Sequence, residues 1–160
     1  MKTRITLALA AAVMATPVAA QVMAPAEYVK TAGASDLYEI TSSRTVLETT
    51  ADPKVRSFAN MMIKQHTKST ADVKAAAAKA RVPAPPPMLM PAQQEQIAQL
   101  RSETGPARDA TYIAQQRASH GQALAVQKAY SMEGTSPPLK AAATKIVPVV
   151  ESHIAMLKTM

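Results

Sequence analysis

Apolar side chains recur at three- and four-residue intervals along most of this chain, and strict alternation of apolar and polar positions is absent, so the sequence predicts an all-helical protein. The clearest stripe runs through Val55, Phe58, Met62, His66, Ser69, Val73 and Ala76, one face of a helix that starts at Asp52-Pro53 and ends near Arg81. Asp as N-cap with Pro in the first turn is a strong start signal. A first helix is expected from Pro25 to about Thr50. Beyond the second, Pro83-Ala84-Pro85-Pro86-Pro87 excludes helix, because consecutive proline rings remove backbone donors. A short helix from Pro91 to Glu103 follows, and Gly105-Pro106 is expected to break the chain. A third long helix should run from Arg108 to Glu133, with Gly134 as a left-handed cap. Ser136-Pro137 should open the fourth, which Pro148 should kink or divide before Val149–Lys158. Together these segments predict an antiparallel four-helix bundle, ferritin-like in layout, with a short extra helix in the crossover after the Pro-rich loop.

The N-terminus follows a different pattern. Lys2 and Arg4 precede an apolar run from Ile5 to Val13 and the small-residue ending Val18-Ala19-Ala20, the layout of a secretory signal peptide. The run is too short to span a bilayer core of about 30 Å. Residues 1–20 are therefore expected to be a signal peptide cleaved at Ala20-Gln21, and 21–160 a single bundle domain, periplasmic or secreted. Loss of Lys2 and Arg4 lowers the formal charge from +7 to +5. Export, and a total of one Phe, four Tyr and no Trp, argue against nucleic acid as a partner. No membrane span is expected in the mature part. A small ligand or an envelope protein is the expected partner class. With no cysteine, the fold cannot depend on disulfides.

Chemistry is concentrated in three histidines, His66, His120 and His153, one on each of the last three long helices. Each falls on an apolar stripe: His120 lies four residues before Leu124, and His153 four after Val149. They are expected to point inward, either as hydrogen-bonded core imidazoles or as shared ligands of one ion. The first helix offers Asp36 and Glu39, three residues apart and on one face beside small neighbours. Glu39 with the three histidines is the expected ligand set, suited to Cu, Zn or Fe, although nothing in the sequence requires a metal. Met88 and Met90 beside the proline run are thioethers that could capture Cu(I) or plug the bundle end. Glu-x-x-His, the chelating pair of di-iron bundles, is missing, which disfavours a metal-dependent redox enzyme. No catalytic residues are assigned. The leading expectation is a binding or envelope protein without turnover, with a periplasmic Cu or Zn binder as the alternative.

Four separate motifs carry a family resemblance. Ala34-Ser35-Asp36-Leu37-Tyr38-Glu39-Ile40 precedes Ser42-Ser43-Arg44, and Phe58-Ala59-x-x-Met62-Ile63-x-x-His66-Thr67 follows. Gly105-Pro106-Ala107-Arg108-Asp109-x-x-Tyr112-Ile113 leads to His120, and Val147-Pro148-x-x-x-x-His153 lies near the end. In this order they cover nearly all of the mature chain, which resembles the bacterial exported family DUF4142. The resemblance implies a ferritin-like four-helix bundle and no particular activity. It singles out Glu39, His66, Asp109, Tyr112, Pro148 and His153, with His120 between them. Two positions depart from the family pattern. Gln65 stands where Asp is usual, which should remove an acidic neighbour of His66, and Arg108 stands where Phe is usual.

Overall fold

The computed structural model describes residues 22–160, so the expected signal peptide and its cleavage point lie outside the described residues. Five helices and no strand are found among the described residues: α1 (Pro25–Leu47), α2 (Pro53–Ala80), α3 (Pro91–Ser102), α4 (Gly105–Glu133) and α5 (Pro137–Leu157). Local sequence explains the ends. Asp52 caps α2 by accepting the Lys54 and Val55 N–H groups at 2.7 and 3.3 Å, with Pro53 in the first turn. At the other end Arg81 turns left-handed (φ 56°), and the Val82 N–H reaches back to the Ala77 carbonyl.

Three expectations about boundaries need correction. The break expected at Gly105-Pro106 is present, Gly105 taking a positive φ of 54°, but α4 opens there rather than at Arg108, because proline at the first turn lacks only an N–H that the helix does not use. Gly134 is not left-handed (φ −54°, ψ 135°); a side chain there would put its Cβ 2.5 Å from the Tyr130 carbonyl oxygen. Of the kink or division expected at Pro148, the division is absent: α5 continues through it to Leu157.

The four long helices pack in a closed square, α1 on α2, α2 on α5, α5 on α4 and α4 on α1. Buried hydrogen bonds fix the direction of α1 against α4: Tyr28 pairs with Gln127, Tyr38 with Gln115 and Ser43 with Tyr112. These neighbours are antiparallel, as are α1 and α2 through Asp36 to His66 and α4 and α5 through His120 to His153. Consequently α2 and α4 are parallel across the diagonal, and the chain must travel the bundle's length between them. The Pro-rich strap and α3 make that return, α3 packing on α1 and α4. This is a four-helix bundle with one long crossover, the ferritin-like layout.

Two apolar layers fill the interior. One gathers Tyr38, Val46, Phe58, Met62, Leu100, Tyr112 and Leu157; the other gathers Tyr28, Val73, Ala77, Tyr130, Leu139 and Ala143. Polar side chains from all four long helices are sandwiched between these layers. That middle layer contains the histidines.

Candidate metal centre

Helical spacing on α2, α4 and α5 aims His66, His120 and His153 at the bundle axis, and the antiparallel register brings them to one level. They are 7%, 1% and 1% exposed. Their ring centroids lie 5.2 to 5.9 Å apart. One nitrogen from each lies within 4.8 Å of those from the other two. Three such atoms fall within about 2.8 Å of a common point, against metal–nitrogen bonds of about 2.1 Å. A contraction of less than 1 Å, within the reach of small rotations about χ1 and χ2, would complete three bonds to one ion.

The outer nitrogens decide how the inner ones are presented. His66 Nδ1 lies 2.8 Å from Asp36 Oδ1 and donates to it, while the Thr70 hydroxyl holds the other carboxylate oxygen at 3.0 Å. His120 Nδ1 donates to the Gln116 carbonyl at 2.9 Å. His153 Nε2 lies 2.5 Å from Gln65 Oε1. Thus each ring has one nitrogen on an oxygen acceptor, the arrangement that fixes tautomers of metal-ligating histidines. By elimination the inward nitrogens are His66 Nε2, His120 Nε2 and His153 Nδ1. His66 Nε2 is buried without a hydrogen-bond partner.

The pair His120 Nε2 and His153 Nδ1, 3.1 Å apart, admits two proton arrangements. In one, His153 Nδ1–H donates to His120, and the Gln65 amide turns its NH2 toward His153 Nε2. In the other, His153 Nε2–H donates to Gln65 Oε1, and His153 Nδ1 joins the two other inner nitrogens as a lone pair. Only the second offers three ligands to a cation.

Electrostatics separates the three rings. Burial pulls His66 down, but the Asp36 hydrogen bond and the charges of Glu39 and Asp36 outweigh it and raise its pKa above the ordinary histidine value. His120 is lowered, chiefly by burial and partly against the Glu39 charge. His153 is pushed down to about 3 by burial, then by the positive charges that His120 and His66 can carry. Phe58 closes the layer from below, its ring 6.4 Å from both His120 and His153. On the α2–α5 side a cavity of about 720 Å³, lined by alanines together with longer apolar and charged side chains, reaches Gln65, His66, Asp36 and His153.

The expected ligand set is only partly assembled. Glu39 is not part of the three-nitrogen cluster: its carboxylate lies 3.8 Å from His120 Nδ1, and its charge acts on His66 as well. Asp36 touches His66 from outside. Met88 is 77% exposed and Met90 starts α3, so neither reaches the histidines or plugs the bundle. Asp109 accepts the Thr50 hydroxyl at 2.9 Å, and Tyr112 shares a 2.8 Å hydrogen bond with Ser43. Gln65 was expected to weaken the surroundings of His66. It serves His153 instead, because adjacent helix positions point about 100° apart, and Asp36 supplies the acid for His66. Arg108 finds a buried place where its guanidinium donates to the Thr45 and Glu103 carbonyls and to Glu48. Gln65 and the Gln116 carbonyl were missed as supporting groups; only the latter had a local signal, standing four residues before His120.

The family described as Domain of unknown function (DUF4142) matches residues 9–160. Among solved structures, a DUF305 protein from Streptomyces coelicolor, provisionally described as secreted, is similar with a TM-score of 0.67 at 17% identity, over 86% of this chain and 90% of its own. A DUF305 fragment from Deinococcus radiodurans gives a TM-score of 0.72 at 15% identity, over 84% and 93%. At these identities the likeness establishes a shared helical fold and leaves the chemistry open. The comparison with curated proteins gave no match.

Proposed function

The chain belongs to the family Domain of unknown function (DUF4142), whose description assigns no activity, and from that premise we propose that it is an exported protein that binds a single transition-metal ion through His66, His120 and His153. One observation carries this reading: three buried imidazoles converge, and each has its outer nitrogen against an oxygen acceptor. A hydrogen bond accounts for the approach of His120 to His153 but leaves His66 Nε2, buried beside them, without a partner. Imidazole suits Zn, Cu, Fe and Ni. Three protein nitrogens leave at least one coordination position, and the cavity at His66 and His153 gives solvent or a small ligand a route to it. Such a site fits reversible binding better than a closed structural one. Export is supported by the basic-apolar-small pattern of residues 1–20 and by the description of the Streptomyces relative. Among the described residues no helix is long and apolar enough to cross a membrane.

The test is thermal unfolding of metal-free protein with and without a slight excess of Zn(II) or Cu(II). At a free concentration one hundred times Kd, binding stabilises the fold by about 2.7 kcal/mol. A rise in Tm that disappears in His120→Ala supports the proposal; an equal response in wild type and variant, or none in either, removes it.

A further inference from the structure

We propose that this centre selects a divalent over a monovalent ion, and that Glu39 and Asp36 set the preference from behind the ligands, as positioning residues that do not touch the metal. The inference rests on the metal-binding reading above. Glu39 is 1% exposed, and its contacts are few for a carboxylate in that position. Oε1 accepts one hydroxyl, from Ser119 at 2.7 Å, and Oε2 is buried with no hydrogen-bond partner. The nearest basic group is His120 Nδ1 at 3.8 Å, whose proton is directed to the Gln116 carbonyl. Among the described residues no lysine or arginine pairs with Glu39 or Asp36; each has only a histidine. A buried carboxylate without a cation is strongly disfavoured.

An ion at the three inner nitrogens supplies the missing charge. It would stand one imidazole away from Asp36, through His66, at roughly 7 Å given a bond of about 2 Å on the inner side, and near Glu39, whose carboxylate lies 3.8 Å from His120 and whose charge also acts on His66. Three neutral imidazoles contribute no charge and the two carboxylates contribute two negative ones. A dication therefore leaves the layer neutral, whereas a monocation leaves one buried negative charge unbalanced. The Ser119 and Thr70 hydroxyls hold the carboxylates in place.

Copper provides the test, because one element is offered in two charges. Competition with chelators of known affinity gives the Cu(II) and Cu(I) dissociation constants of full-length mature protein, for wild type, Glu39→Gln and Asp36→Asn. Both variants keep an oxygen that can accept the Ser119 or His66 hydrogen bond. The ratio of Cu(II) to Cu(I) affinity is expected to fall on the order of tenfold in each variant, a rise of about 59 mV in the one-electron potential, with Glu39→Asp restoring part of it. A ratio that stays constant while both affinities fall together, or stay unchanged, overturns the charge assignment and leaves the histidine site standing. Wild type that binds neither state overturns the site itself. If Glu39→Gln does not fold, Asp36→Asn alone decides by the same ratio.

Discussion

Acidification of the metal-free protein should destabilise it through His153, and the size of the effect follows from the site's geometry. Burial, then the charges of His120 and His66, lower the His153 pKa to about 3 in the folded chain, against an ordinary value of 6.5. The folded form refuses a proton that the unfolded form accepts. Stability is therefore complete above the ordinary value and is lost as pH falls from there toward 3. At about pH 5 the loss from His153 is roughly 2 kcal/mol. His120 is lowered by burial as well and adds in the same direction. His66 opposes them: against its burial, the Asp36 hydrogen bond and the Glu39 charge raise it, so its ion pair stabilises the fold at low pH and is lost as pH rises through the raised value. To isolate His153, wild type and His153→Gln should be unfolded in urea near pH 7.5 and about pH 5. Glutamine retains hydrogen-bonding capacity toward His120 and Gln65 but takes no proton. Wild type should lose about 2 kcal/mol more than the variant between the two conditions, a difference of about 1 M in urea midpoint. Parallel pH profiles would refute the assignment of a buried, neutral His153.

Three other outcomes follow from packing. Phe58→Ala should cost about 3 to 5 kcal/mol in chemical denaturation, because it empties a buried ring site beneath His120 and His153. Gly134→Ala should lower stability by roughly 1 to 3 kcal/mol, since its Cβ would meet the Tyr130 carbonyl at 2.5 Å and the Tyr130 ring at 2.7 Å; calorimetry checks this. Replacing Met88 and Met90 together by alanine should leave the affinity for Zn(II), read by isothermal titration, unchanged within about twofold, because neither side chain reaches the histidine layer.

Much of this arrangement was legible in the sequence wherever the cause was local. The Asp52-Pro53 start, the exclusion of helix by Pro83–Pro87, and the inward face of His66 all depend on a few adjacent residues or on helical period. Gly105-Pro106 and Gly134 misled because a glycine or proline marks an unusual backbone without saying on which side of a helix end it acts. Convergence of the histidines was not legible, since it depends on the rotation and register of three helices that meet only when folded. The fates of Asp36 and Glu39 show the same limit. Three residues apart, they share a face of α1, but one turn of displacement sends Asp36 to His66 on α2 and Glu39 to Ser119 and His120 on α4. Gln65 had no sequence signal at all, because its partner is 88 residues away.

The most direct measurement is an anomalous difference map, collected at the zinc edge from crystals of the mature protein grown with a stoichiometric amount of Zn(II). The account predicts one dominant peak inside the bundle, about 2.1 Å from His66 Nε2, His120 Nε2 and His153 Nδ1, with the Gln65 oxygen toward His153 Nε2. A fully diffracting crystal whose zinc peaks lie only on the surface, with the three imidazoles unmoved, would contradict it.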